Sequence, residues 1–156
     1  MTQLPGKLAE LIDLLSVVTD PTDRSMLLLS YADQFKDVPP EVARRPFADS
    51  HRVPGCESEA YVWAVSQPDG TLKLHFAVEN PSGISARALA VILDKTLSGQ
   101  PPDVIARISP DLVEQIFRQN ISMGKGIGLM GMVQAVRALA RQAARRSHES
   151  RVTSHE

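Results

Sequence analysis

This chain of 156 residues has a single cysteine, no long apolar run and no surplus of charge of either sign. The one thiol, Cys56, cannot form an internal disulfide, cannot supply the paired sulfurs of a Cys-x-x-Cys redox centre, and cannot alone hold a metal or a cluster. One nucleophile or one sulfur carrier is what remains. No stretch approaches the roughly 20 apolar residues needed to cross a bilayer. The apolar positions from Leu4 to Val18 are interrupted by Lys7, Glu10 and Asp13, with no basic region ahead of them, so no secretory leader is expected. Formal net charge is −1, which gives no field to draw nucleic acid or an anionic membrane, and neither is expected as a partner. A lone cysteine without an export signal points to a reducing cytoplasm. The four histidines, His51, His75, His148 and His155, show no HxxH or HExxH spacing, which argues against zinc or iron.

What is present is an ordinary globular composition, 43% hydrophobic and 22% charged. A chain of this length buries roughly 68–70% of its unfolded surface, enough for one domain with a sizeable core. Leu8, Leu11, Ile12, Leu15 and Val18 recur at helical spacing and predict an amphipathic helix. Asp20-Pro21 supplies a cap and a first-turn proline for a second helix to about Phe35. From Lys36 to Gly55 the prolines at 39, 40, 46 and 54 break all periodicity, and an irregular segment of that length is often functional.

Tyr61 to Val65 then reads as a strand, Pro68-Asp69-Gly70 as a hairpin turn, and Leu72, Leu74, Phe76 and Val78 as a half-buried antiparallel partner, with Lys73 and His75 facing solvent. A third helix is expected from Ser82 to Gly99, a short turn over Pro102–Ala106, a helix opened by Ser109-Pro110, and a last helix from near Gly128. Two helices, a small sheet and then several helices argue an α+β fold, with a small antiparallel or mixed sheet and helices packed against it. The expected organisation is one domain over residues 1–146 and a flexible tail over residues 147–156.

Cys56 lies in Val53-Pro54-Gly55-Cys56-Glu57-Ser58, just before the first strand. A lone cysteine is also commonly a small buried hydrophobe. Here Gly55 gives access, Pro54 stiffens the approach and the following residues are polar, which favours a reactive group. His51 and Arg52 would promote the thiolate whereas Glu57 and Glu59 would oppose it, so local charge decides nothing. A cysteine–histidine hydrolase using His51 or His75 is one alternative, although no third orienting group is recognisable. Another is an adaptor that binds through Gly124-Lys125-Gly126-Ile127-Gly128, with Cys56 merely structural. That glycine-rich stretch does not match a phosphate loop and reads as a flexible entry to the last helix. Arg137, Arg141 and Arg145 make a basic stripe along that helix, read as a solvated face.

The Gly55-Cys56-Glu57-Ser58 core resembles the SufE family, sulfur-acceptor partners of cysteine desulfurases in iron–sulfur cluster assembly. So do the strand carrying Trp63, the hairpin, the Arg87-Ala88-Leu89-Ala90 helix and the closing Gly128-Leu129…Met132-Val133…Val136-Arg137-Ala138 helix. The resemblance covers residues 5–143. It implies a fold shared with the scaffold IscU, and no bound cofactor. It further implies that Cys56 takes a persulfide sulfur from a SufS-like, pyridoxal-phosphate-dependent desulfurase, stimulates that enzyme, and passes the sulfur to a SufBCD-like iron–sulfur scaffold. Such a carrier is expected to be a monomer or weak homodimer. Two stretches depart from the family: Asn80-Pro81-Ser82 replaces an acidic-serine-acidic run, and Met123-Gly124-Lys125 replaces a proline-serine-arginine segment. Both are expected to flank the active loop, and Lys125 keeps a charge without arginine's planar fork.

Overall fold

The computed structural model describes residues 4–153. Helix α1 spans Gly6–Val17 and α2 spans Pro21–Asp33. The Asp20 carboxylate accepts from the backbone N–H groups of Thr22 (2.8 Å) and Asp23 (3.1 Å), and Pro21 sits in the first turn, as the sequence predicts. Strands β1 (Ala60–Ser66) and β2 (Leu72–Val78) form a two-stranded antiparallel sheet in which Val62 faces Phe76 and Trp63 faces His75. Helix α3 follows at Ile84–Leu97, then the short α4 (Pro102–Ile105) and α5 (Leu112–Phe117), and finally the long α6, Met123–Thr153. The α+β expectation holds, with the sheet purely antiparallel.

Helix α3 is the centre of the domain because its sequence is apolar almost all round. It packs on α1, α2, α6 and β2, and Leu89, Ile92 and Leu93 are fully buried, each contributing about 1.5–3 kcal/mol of transfer free energy. Strand alternation sorts the sheet residues. Ala60, Val62, Leu72, Leu74, Phe76 and Val78 face this core, whereas Trp63, Tyr61 and Ala77 face the other way.

That second face is not open to water. The irregular segment after α2 lies over it, packing Val38, Val42, Ala43 and Phe47 against Tyr61, Trp63 and Ala77. Arg45 fastens the cover. It donates to Asp37 through both terminal nitrogens (2.9 and 3.1 Å) and to Glu79 through Nε (2.8 Å), with its guanidinium over the Phe47 ring. His75 is therefore half-buried rather than solvated, and burial lowers its pKa, with the Lys73 charge acting in the same direction.

Further expectations shift. Gly83, not Ser82, precedes the first turn of α3, and no side chain caps it. The last helix starts at Met123 rather than Gly128. Ser122 accepts from the Lys125 N–H through its hydroxyl (3.3 Å) and from the Gly126 N–H through its carbonyl (3.0 Å), so a capped first turn forms across the glycines. The same helix passes Arg146 and ends at Thr153, with Arg146 to Glu149 exposed; extending a packed helix costs little per residue. Residues 154–156 of the expected tail, including His155, lie outside the described residues. In the expected basic stripe, Arg141 and Arg145 are exposed, but Arg137 is half-buried and donates to Gln134 Oε1 at 3.0 Å.

Arg24 gave no sequence signal. Arg24 is 2% exposed, and its guanidinium donates to the carbonyls of Leu15, Val18, Gln115 and Ile116. One cation thus satisfies the orphan carbonyls at the ends of both α1 and α5.

Candidate functional site

Cys56 sits on a tight loop between the irregular segment and β1. The loop closes at its base, where the Val53 N–H donates to Ala60 O (2.8 Å), and inside it the Glu59 N–H donates to Cys56 O (3.1 Å). Gly55 (φ 71°) and Glu59 (φ 52°) take the left-handed backbone that so sharp a reversal needs. Arg45 and the aromatic packing pin the segment that leads into this loop.

Two walls hold this loop. The first is α6, whose glycines let backbone approach backbone. A Cβ on Gly128 would stand 3.4 Å from Cys56 Cα and 3.5 Å from Gly55 O, and one on Gly131 would stand 3.1 Å from Pro54 O. The second is the exit from β2. The Glu79 N–H donates to Glu59 O and the Asn80 N–H to Ser58 O, both at 3.1 Å, and Asn80 Nδ2 donates to Glu57 O at 3.3 Å. A Cβ on Gly83 would fall 3.0 Å from Ser58 Cβ and 2.7 Å from Val78 Cγ1, so only glycine fits there without displacement.

Between the walls lies a cavity of about 160 Å³, lined by Cys56, Glu57, Ser58, Asn80, Ser82, Gly83, Ser85, Gly124, Lys125, Gly128 and Leu129. Cys56 is 7% exposed and belongs to the main core cluster, yet it also lines this opening. The thiol is thus shielded without being walled off. Lys125 and the first turn of the long α6 border the same space, which Glu57 also lines.

The two stretches singled out as departures, Asn80-Pro81-Ser82 and Met123-Gly124-Lys125, meet here: Asn80, Ser82, Gly124 and Lys125 share the cavity with Cys56. The glycine-rich stretch is helix rather than flexible loop, and it serves as the wall behind the thiol. The histidines are elsewhere. The His51 ring is 2.9 Å from Val62 O through Nδ1 and stacks on Trp63, and it lines a separate groove with Pro54, Gly131 and Ala138. His75 lines the groove between α2, β2 and α3. Neither reaches the Cys56 cavity. Among the described residues no group of three histidine, cysteine or carboxylate side chains is placed to hold a metal, and no helix is long and apolar enough to cross a membrane.

Sequence reasoning missed Gly83 and Ser85, and took Arg87 only as part of the Arg87-Ala88-Leu89-Ala90 helix, not for the bonds it makes. The Arg87 guanidinium donates to three carbonyls of the β2 exit, Val78 (3.2 Å), Asn80 (3.1 Å) and Pro81 (3.0 Å). A glycine where a helix would ordinarily carry a serine or aspartate cap is the one sequence hint that something packs closely there.

Comparison with known proteins agrees with this geometry. The model of the SufE family, described as an Fe-S metabolism associated domain, matches residues 9–140. SufE-like protein 1, chloroplastic/mitochondrial, of Arabidopsis thaliana is 27% identical over 139 residues, which cover 88% of this chain and 36% of that protein. The chain therefore spans little more than a third of that relative's length. A solution structure of a hypothetical protein from Thermus thermophilus superposes with a TM-score of 0.71 at 24% identity, covering 91% of this chain and 98% of that one, a likeness of fold.

Proposed function

Because the chain belongs to the SufE family of Fe-S metabolism associated domains, and so to iron–sulfur metabolism, we propose that it is a sulfur acceptor and carrier, with Cys56 as the residue that receives and hands on the sulfur. The observation that carries this reading is the placement of the only thiol, shielded to 7% exposure yet lining a cavity of about 160 Å³. The donor is a pyridoxal-phosphate-dependent cysteine desulfurase holding a cysteine persulfide. Cys56, as thiolate, forms a bond to the outer sulfur of that persulfide. The donor's S–S bond breaks, and its electron pair leaves with the inner sulfur, which takes up the proton that Cys56 gave up. No net oxidation occurs. Cys56 then carries Cys–S–SH, and the same exchange in reverse delivers the outer sulfur to a thiol of an iron–sulfur scaffold.

The cavity volume is several times the about 30 Å³ that a water molecule occupies in the liquid, so one added sulfur fits beside Cys56 without displacing the core. Ser58, Ser82, Ser85 and Lys125 offer it donors, and enclosure protects it from small thiols and oxidants. Ile84 (49% exposed), Met123 (86%) and Ile127 (60%) are each next in sequence to residues that line the cavity, and they leave apolar surface suited to a partner protein. The carrier operates in a reducing compartment such as the cytoplasm, where a persulfide survives and no disulfide competes.

The rival reading of a cysteine–histidine hydrolase loses support because neither His51 nor His75 lines the cavity. An adaptor working through Gly124–Gly128 would use a helix wall that faces Cys56 itself. The test is intact-mass analysis after incubation with a cysteine desulfurase and cysteine. A gain of one sulfur atom, mapped to Cys56 and absent in Cys56→Ser, is expected. Unchanged mass in the wild type, with active desulfurase present, refutes the proposal.

A further inference from the structure

We propose that Asn80, held in place by Arg87, is a latch that sets how often Cys56 leaves its shielded position, and so limits the rate at which it accepts sulfur. The proposal rests on the carrier reading only for its second half. The first half concerns opening of the loop and stands by itself.

The Asn80 side chain works in two directions. Its Oδ1 accepts from the Ser82 N–H at 2.9 Å, which closes a turn of its own backbone and fixes which way the amide faces. Its Nδ2 is thereby aimed across the gap and donates to Glu57 O at 3.3 Å, one residue beyond Cys56. The neighbouring backbone N–H groups of Glu79 and Asn80 hold Glu59 O and Ser58 O, so the β2 exit grips the loop at three successive carbonyls. Of these three bonds, only the Asn80–Glu57 one is made by a side chain, so it alone can be set by the choice of residue.

A latch needs a rigid post. The β2 exit has no regular structure of its own, and Arg87 supplies the stiffness by binding Val78 O, Asn80 O and Pro81 O with one planar fork. Its guanidinium also lies 5.9 Å from the Phe35 ring centre, which ties the post to the segment following α2. Asn80 is a positioning residue here, acting on Cys56 through the loop and not on sulfur.

The decisive substitution is Asn80→Asp. It keeps the oxygen that closes the turn and replaces the donor facing Glu57 O with a second acceptor. Asn80→Ser, which also keeps a turn-closing oxygen but cannot span the gap, is the uncharged control. The measurement is the labelling rate of Cys56 by a bulky aromatic disulfide on the whole protein, at several urea concentrations below the unfolding transition. Opening confined to the loop exposes little surface, so its rate is nearly independent of urea, whereas labelling through global unfolding rises steeply. Both variants are expected to label about three- to tenfold faster than wild type, the factor implied by losing one net hydrogen bond, with a flat urea dependence. Arg87→Lys is expected to speed labelling too, and its combination with Asn80→Asp to fall short of the product of the single effects.

Unchanged labelling in both Asn80 variants overturns the latch, and so does an increase that appears only with a steep urea slope. Fully multiplicative effects overturn the coupling to Arg87. Sulfur uptake is measured in parallel by intact mass with a desulfurase. Faster labelling without sulfur gain on any variant would leave the latch standing and refute the carrier reading instead. Faster labelling with sulfur uptake no faster than wild type would overturn the second half of the proposal.

Discussion

Gly128→Ala is the sharpest probe of how α6 supports the thiol. The new Cβ would stand 3.4 Å from Cys56 Cα, 3.5 Å from Gly55 O and 3.9 Å from Cys56 Cβ, all within ordinary contact and none a clash. Inside a helix, alanine is preferred over glycine by about 1 kcal/mol. A slightly tight fit against the loop subtracts from that, leaving a net gain of about 0.5–1 kcal/mol, or roughly 1–4 °C in melting temperature for a domain of this size. The same three contacts exist only while Cys56 is tucked in. At about 0.1–0.2 kcal/mol per atom pair they favour the closed loop by roughly 0.3–0.6 kcal/mol, about a twofold slowing of Cys56 labelling. The variant should thus be more stable and less reactive, the trade-off expected where function needs a loop to move. Thermal melting and thiol-labelling kinetics on the same sample measure both quantities. Gly131→Ala is the internal control: it has the same helix preference, but its Cβ would meet Pro54 O at 3.1 Å and Val53 Cγ1 at 3.3 Å, so little or none of the gain should survive. Faster labelling in Gly128→Ala, or no gain in stability beyond that of Gly131→Ala, would refute the close packing of α6 on the Cys56 loop.

Replacing Arg24 by Leu removes a donor from four helix-end carbonyls, of which Leu15 O keeps the Val18 N–H, and should cost roughly 3 kcal/mol, read as a fall in urea midpoint at constant slope. For His75, burial and Lys73 lower the folded pKa below the ordinary 6.5, so the unfolded chain binds the proton more readily. Its contribution is full above about pH 6.5 and is lost as the pH falls through the folded value; His75→Gln should flatten that part of the stability profile below neutrality, and an unchanged profile would refute the assignment. Met123→Asp, at an 86% exposed apolar position, should leave melting within about 0.5 kcal/mol of wild type while weakening desulfurase binding in calorimetry.

Local chemistry explains what could be read in advance. Leu72, Leu74, Phe76 and Val78 alternate because a strand has period two, and Asp20-Pro21 marks a helix start because both residues satisfy the constraints of a first turn. The Pro68-Asp69-Gly70 turn is legible for the same reason, with Gly70 at φ 87°. Propensity misled at Met123–Gly128, where glycines suggest a flexible entry. The Ser122 cap and close packing on the Cys56 loop make the segment helical instead. It misled again at His75, whose alternation with core residues implied solvent, because nothing local shows that Val38 and Phe47 return over that face.

The order of helices and strands, the single thiol and the family were all determined by residue order alone, since period, capping and the Gly55-Cys56-Glu57-Ser58 motif are short-range properties. Tertiary structure decided the rest. It brought Asn80, Ser82 and Lys125, far apart along the chain from Cys56, to the cavity beside its thiol. It placed His51 and His75 in other grooves, and turned Arg24 and Arg87 into clamps on carbonyls. Such encounters depend on how helices and sheet stack in three dimensions, which no local pattern encodes.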